Sequence, residues 1–321
     1  MTPDRSLTGP LDPGAQALVD KIVAAGQPGV EAGTPASARH GFRVSRQALA
    51  PQCPQVALTQ DFPREGACPP LRLYRGWGTP DDMALSALLF FHSGGWVSGD
   101  LETHDIACRS LANAARCVVV AVDYALAPES PFPAAVEDAV AAFLRLAQAG
   151  LPGIDPQRIV VGGDSAGANI AAVLALALRD AGEYRPCGQI LLYPATTFVE
   201  EMPSRVAFES GPTLNGPALR WFAAQYLPRP EDALDWRASP LLAPSHADLP
   251  PALVTTCGHD PLRDEGLAYA ERLRAAGGAV ETRHFPGQIH GFLTMGGVMP
   301  ETTILIGETA AFFARVTAGR G

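Results

Sequence analysis

From about residue 86 onward, short apolar runs rich in β-branched residues alternate with longer stretches rich in alanine and leucine. Residues 87–91, 117–122, 158–161, 189–192, 252–256 and 280–285 read as strands, and 103–115, 133–149, 166–181, 266–276 and 304–314 as helices. Strands that are apolar throughout and alternate with helices predict an α/β fold, a parallel sheet covered on both faces. The start of the chain is less regular. Asp12 and Pro13 fit an N-cap and first helical position, Leu18, Ile22 and Ala25 form a stripe, and Gly26 ends it, so one amphipathic helix is predicted there. Residues 26–50 are rich in Gly, Ala and Pro with little periodicity, and 56–61 with 70–74 suggest an opening hairpin. The rhythm breaks again over 195–238, where Pro, Glu and aromatic residues surround one predicted helix, 217–227. That segment reads as an insertion.

The composition narrows the class. With 321 residues, 47% hydrophobic and 18% charged, a disordered or fibrous chain is excluded, and one catalytic domain with an appended part is expected. Thirty-three acidic residues oppose 24 basic ones, and no Lys/Arg cluster stands out, so neither nucleic acid nor an anionic membrane is an expected partner. The longest apolar run, 171–178, is far short of the roughly 20 residues that span a bilayer. Met1-Thr2-Pro3-Asp4-Arg5, followed by Pro10 and Pro13, lacks the form of an export signal, and a cytoplasmic location is expected. Cys53, Cys68, Cys108, Cys117, Cys187 and Cys257 include no C-x-x-C pair or metal spacing; reduced, mostly buried thiols are expected.

Gly163-Asp164-Ser165-Ala166-Gly167 matches G-x-S-x-G, a weak signal alone in a chain with 32 glycines. Its position strengthens it. It follows the strand 158–161 and opens a helix, the strand-turn-helix setting in which a serine is pushed out of a sharp turn beside a helix N-terminus. A serine nucleophile needs a base and an orienting carboxylate. Of the later histidines His246, His259, His284 and His290, only His290 sits in a loop after the last strand, in Gly287-Gln288-Ile289-His290-Gly291-Phe292. Asp260 lies past the C-terminal end of a strand, where catalytic groups collect in open α/β sheets. Asp264 and Glu265 are rivals that read better as acidic residues in a helix's first turn. His92-Ser93-Gly94-Gly95-Trp96 also follows a strand, and its glycines would let backbone N–H groups approach a substrate carbonyl. No G-x-G-x-x-G, G-K-[ST] or H-E-x-x-H pattern is present, so no nucleotide, cofactor or metal is implied.

Taken together these motifs resemble the hormone-sensitive-lipase-like esterases, the bacterial family IV carboxylesterases of the α/β-hydrolase fold. The likeness runs from about residue 55 to the end. It also includes Gly99-Asp100, His104-Asp105, Asp123-Tyr124-Ala125-Leu126-Ala127-Pro128-Glu129, Ser239-Pro240-Leu241, Asp260-Pro261-Leu262-Arg263-Asp264-Glu265 and His290-Gly291-Phe292. The resemblance implies a mostly parallel eight-stranded sheet flanked by helices, with a helical cap. Residues 1–50 and 198–236 would form the cap, and 51–197 with 237–321 the catalytic domain. Ser165, Asp260 and His290 would be the triad and the N–H groups of Gly94, Gly95 and Ala166 the oxyanion donors. Trp96, Phe198, Phe208, Trp221 and Phe222, with Tyr226, are candidates for an apolar substrate pocket or for plain packing of the cap. Two departures stand out: Ser93 replaces the first glycine of the family's His-Gly-Gly-Gly loop, and Ala125 replaces the usual arginine of DYRLAPE. A positive φ at Ser93 would strain the loop, and its hydroxyl is available to substrate or a neighbour. His92, His104, Asp105, Asp123 and Glu129 are expected to tie loops together.

The expected function is a serine carboxylesterase acting on short- to medium-chain acyl esters through a covalent acyl-serine. A small-molecule ester is the expected partner, and a homodimer is left open. The competing classes are a small-molecule receptor, which would typically have lost the base, and an amide hydrolase with the same triad.

Overall fold

The computed structural model describes residues 7–199 and 201–318. The opening Met1-Thr2-Pro3-Asp4-Arg5, read above for an export signal, lies outside them. Eight strands form one sheet in the order β1-β2-β4-β3-β5-β6-β7-β8. β1 (Leu58–Phe62) and β2 (Leu71–Arg75) are the predicted hairpin, antiparallel to each other, and β2 is antiparallel to β4. β3 (Leu85–Phe91), β4 (Val118–Val122), β5 (Ile154–Asp164), β6 (Gln189–Leu192), β7 (Ala252–His259) and β8 (Val280–Ile289) run parallel. The mostly parallel eight-stranded sheet is therefore present.

Strand alternation divides the core into two layers. Ala87, Leu89 and Phe91 of β3 join one cluster, shared with α4 (Ala134–Leu144), α5 (Ala166–Ala181) and α8 (Arg263–Ala275). Leu88 and Phe90 join the other, shared with α3 (Leu101–Ala115), α9 (Glu301–Ala318) and Ala15 of α1 (Pro13–Ala25). Both faces of β3 are thus covered, which is why its sequence is apolar without a break. The Ala-rich α5 is buried along nearly its whole length, as a helix that is apolar all round must be.

Several boundaries differ from the sequence reading. β7 and β8 extend to His259 and Ile289, past the apolar runs 252–256 and 280–285, and these extensions set Asp260 and His290 directly beyond strand ends. The tract 26–50, read above as having little periodicity, contains a 3₁₀ turn, Val30–Ala32, and an amphipathic helix, α2 (Pro35–Leu49), whose Phe42, Ser45, Arg46 and Leu49 share one face. Thr34 and Ser37 cap α2 reciprocally: Ser37 N–H donates to Thr34 Oγ1 at 3.2 Å and Thr34 N–H to Ser37 Oγ at 2.8 Å. Two of its arginines fasten α2 to the body. Arg39 donates to the carbonyls of Val97 and Ala127 and pairs with Glu129 at 2.5 Å, and Arg43 pairs with Asp100. Leu49 packs against the core and Phe42 stacks on the His104 ring, so apolar contacts add to the arginine ties. In α1, Gly26 ends the helix with φ 55°, but Asp12 makes no capping bond with its side chain. It accepts instead from Gln288 Nε2 at 2.9 Å, which ties α1 to β8.

All six cysteines are free thiols, five of them buried and Cys53 exposed. No helix among the described residues is long and apolar enough to cross a membrane. The central position of β3 gives a direct stability test. Leu89 is fully buried between β4 and β5, so Leu89→Ala should destabilise the protein by about 2–5 kcal/mol through lost burial and a residual cavity. Chemical denaturation of the two proteins measures this; an unchanged midpoint would contradict the assignment of Leu89 to the packed core.

Candidate active site

The site lies at the C-terminal ends of β3, β5, β7 and β8. β5 ends at Asp164 and α5 begins at Ala166, so the chain reverses within one residue. That residue is Ser165, with φ 57° and ψ −116°, a conformation that L-residues rarely adopt. The reversal demands close approach of backbones at Gly167, where a Cβ would collide with the Phe91 carbonyl. Small residues here follow from crowding between β3 and α5.

Ser165 Oγ lies 2.8 Å from His290 Nε2, and His290 Nδ1 lies 2.8 Å from Asp260 Oδ2. Asp260 is fully buried, and its other oxygen accepts the Leu262 N–H at 2.8 Å, which fixes the carboxylate plane. Tyr193 packs its ring edge-on to His290 at 5.0 Å. The three residues singled out in the sequence are thus brought into one hydrogen-bonded chain. The other histidines after Ser165 are engaged elsewhere. His246 bonds the Pro240 carbonyl, His259 the Gly9 carbonyl, and His284 Thr256 Oγ1 and the Leu7 carbonyl. The rival carboxylates are engaged as well. Asp264 pairs with Arg263 at 2.7 Å and accepts the Ser204 N–H, while Glu265 pairs with Arg205 at 2.6 Å and accepts the Thr196 N–H. Through Ser204 and Arg205 they bind the short helix α6 (Pro203–Ala207) to α8.

The loop after β3 turns on Gly94 (φ 126°), Gly95 (φ 61°) and Trp96 (φ 61°). Ser93 is not in the left-handed region, so it imposes no backbone strain. Its hydroxyl is turned to a neighbour: Ser93 Oγ lies 3.1 Å from His104 Nε2, which in turn lies 3.1 Å from Asp164 Oδ1. Tyr193 donates to Asp164 Oδ2 at 3.2 Å. Burial alone would raise the Asp164 carboxyl, but His104 and the Ser93 hydroxyl outweigh it and hold it below the ordinary carboxylate value. The Gly94 carbonyl accepts the N–H groups of Val97 and Ser98 and the Ser98 hydroxyl, which anchors the loop. A Cβ on Gly95 would clash with the Phe222 ring. Gly94 and Gly95 line the cavity beside Ser165, and Ala166 contributes the first N–H of α5, one of the donors a helix leaves without an internal partner. At Ala125, the other departure, the backbone N–H donates to Asp138 Oδ2 at 2.8 Å.

A cavity of about 830 Å³ opens over Ser165 and His290. Residues of α1 and α2 line one side, and residues of the 195–238 segment another. Trp96, Phe198 and Phe222 line it; Phe208 and Trp221 do not. On α7 (Gly216–Tyr226), Ala218, Leu219, Phe222 and Ala223 share the cavity face at helical spacing. Trp221 falls on the neighbouring face, edge-on to Phe222 at 5.2 Å, and Phe208 packs against His259 at 6.0 Å. Tyr226 lies buried, stacked on Trp96 at 4.6 Å. The sequence reading missed Arg46, Arg205 and Arg220, which also line the cavity. The Thr34–Ser37 capping pair was the signal that could have revealed the helix carrying Arg46. Among the described residues no group of His, Cys, Asp and Glu could hold a metal ion.

The strand order, and a serine, carboxylate and histidine in that chain order, define an α/β hydrolase. Comparison with known proteins agrees. Residues 88–294 match a family described as having the α/β-hydrolase fold. A carboxylic ester hydrolase, LipN, of Mycobacterium tuberculosis is 45% identical over 77% of this chain and 68% of its own length. An ethyl acetate hydrolase of Pseudomonas putida is 40% identical over 82% of this chain and 85% of its own. Among solved structures, an ester hydrolase from the metagenome of Lake Arreo superposes with a TM-score of 0.90 at 41% identity, covering 95% of this chain and 98% of that one. The chain belongs to the α/β-hydrolase fold family, in its hormone-sensitive-lipase-like branch of carboxylic ester hydrolases.

His92 links this site to acid stability. Its Nδ1 donates to the Ser93 carbonyl at 2.8 Å and its ring stacks on Tyr124. Burial, and then the neighbouring His104, lower its pKa from 6.5 to about 4. The folded protein thus keeps His92 neutral where the unfolded chain takes up a proton. The associated stability is fully present above the unfolded value of 6.5 and is lost as pH falls towards about 4. Between about pH 7 and pH 4.5 His92 should cost about 2–3 kcal/mol of stability. Urea unfolding at the two pH values should show a smaller loss for His92→Asn than for the wild type; equal losses would reject His92 as the titrating group.

Proposed function

We propose that the protein is a serine carboxylesterase that cleaves short- to medium-chain acyl esters through a covalent acyl-serine. The observation that carries this reading is the unbroken chain Ser165–His290–Asp260, with 2.8 Å at each step, at the base of a largely apolar cavity. His290 takes the Ser165 proton as Oγ attacks the ester carbonyl, and Asp260 holds the imidazole in the required tautomer and stabilises its cationic form. The N–H groups of Gly94, Gly95 and Ala166 receive the developing oxyanion. Collapse of the tetrahedral intermediate expels the alcohol, which takes the proton from His290. Water, deprotonated by the same base, then attacks the acyl-serine and releases the acid.

The N-terminal segment 1–50 and the insertion 198–236 act in this reading as the two parts of a cap. Support comes from their shared lining of the cavity and from the arginine ties that hold each to the sheet domain. A cavity of about 830 Å³ lies within the usual range for small-molecule sites and can receive a short or medium acyl chain together with its alcohol. The relatives named as ester hydrolases supply the same substrate class.

The test is release of p-nitrophenol from acyl esters of increasing chain length. Turnover should peak at short to medium chains, and Ser165→Ala should lower kcat/KM by about 10⁴-fold or more while leaving the thermal melting profile intact. Wild-type rates in Ser165→Ala would overturn the assignment of the nucleophile, and an optimum at long acyl chains would overturn the stated preference.

A further inference from the structure

The cavity wall carries a positive charge that the reaction described above does not use. The chain has a formal net charge of −9, yet three arginines, Arg46, Arg205 and Arg220, line the cavity. Among the described residues the exposed Glu31 is its only lining carboxylate. Two of the arginines are neutralised, Arg205 by Glu265 and Arg220 by Glu209, each at 2.6 Å. Arg46 differs from both. Its Nε is buried without a hydrogen-bond partner, and its guanidinium carbon lies 4.5 Å from the Phe42 ring centroid. The carboxylate whose field reaches it is Asp164, which His104 already holds at 3.1 Å. Burial pulls the Arg46 pKa below the ordinary arginine value, the expected effect on a cation with no counter-ion in contact.

The position of this charge matters for chemistry. A Cβ built on Gly291, the residue after His290, would lie 3.5 Å from Arg46 Nη2. The guanidinium therefore stands beside the catalytic base loop, on the wall of the cavity that holds Ser165. An arginine stays charged and offers a planar fork of donors that matches a carboxylate. In a lining that is mostly apolar, a substrate anion would bring the missing counter-charge, whereas a neutral ester leaves the cation partly desolvated and unpaired.

We propose that Arg46 is a specificity-determining residue that binds a carboxylate carried by the ester, so that half-esters and acyl esters of hydroxy acids are favoured over neutral isosteres. The proposal rests on the ester-hydrolase reading given above. Two substrate pairs locate the anion. Monoethyl glutarate against ethyl pentanoate places it on the acyl side, and 4-acetoxybenzoate against 4-methylphenyl acetate on the alcohol side. The readout is the ratio of kcat/KM for the anionic over the neutral member. For at least one pair, Arg46→Met lowers this ratio by about tenfold or more, the effect of one charge-assisted contact, and Arg46→Lys keeps it within about threefold of wild type. A merely structural role slows both members equally, so a ratio unchanged for both pairs overturns the proposal. Should Arg46→Met fail to fold, the wild type decides: glutarate must inhibit ethyl pentanoate hydrolysis at least about tenfold more strongly than glutaramide, and equal inhibition overturns the proposal. Absence of turnover on every ester, neutral or anionic, is a different result and sinks the ester-hydrolase reading itself.

Discussion

The left-handed turn at Ser165 is the constraint around which this protein is arranged. A residue held at φ 57° and ψ −116° costs on the order of 1–3 kcal/mol and persists only where its surroundings leave no alternative. Here β5 is locked between β3 and β6 in the middle of the sheet, and the buried α5 must start at once. Ser165 N–H donates to the Leu192 carbonyl on β6 at 2.8 Å, so the turn is tied to the neighbouring strand as well. The strain is the reason the Oγ stands clear of the backbone at the base of the cavity. The close approach of Phe91 to Gly167 shows how little room the reversal leaves.

A second layer couples the serine turn to the glycine loop. Asp164, one residue before Ser165, is fully buried and meets His104 of α3 and Tyr193, while His104 reaches the Ser93 hydroxyl. The loop that carries Gly94 and Gly95 and the turn that carries Ser165 are thus held by one buried polar cluster. Ser93, a departure from the family's glycine, becomes intelligible in this setting: its φ needs no glycine, and its hydroxyl adds a contact to the cluster. Arg39 with Glu129 and Arg43 with Asp100 then tie α2 to the body at more exposed positions, beside the apolar contacts of Phe42 and Leu49.

Much of this was legible in the chain. The unbroken apolar strands announced a sheet covered on both faces, and Gly163-Asp164-Ser165-Ala166-Gly167 between a strand and a helix singled out one serine among many. Asp260 and His290 were singled out because each follows a strand, although the strands proved longer than their apolar runs. What escaped was obscured by composition: the Gly, Ala and Pro of 26–50 hid an amphipathic helix. The helix α2 is attached by arginines, and its capping pair is two small residues among many. Phe208 and Trp221 were candidates for the pocket because aromatic type alone cannot say which side of a segment points inward. Arg46 was invisible as a site residue for the same reason.

The sequence by itself determined the class of fold and singled out Ser165, Asp260 and His290 in their chain order, since these depend on local patterns: strand length, turn glycines and position relative to strand ends. The tertiary structure alone decided which distant residues share the cavity, how Ser93 is satisfied, and that Arg205 and Arg220 meet carboxylates while Arg46 meets an aromatic ring. Those outcomes depend on packing between segments as far apart as α2 and the loop at His290, some 240 residues along the chain. The physical reason is that periodicity and turn chemistry act over a few residues, whereas charge neutralisation and cavity shape are set by whichever groups the completed fold brings within a few ångströms of one another.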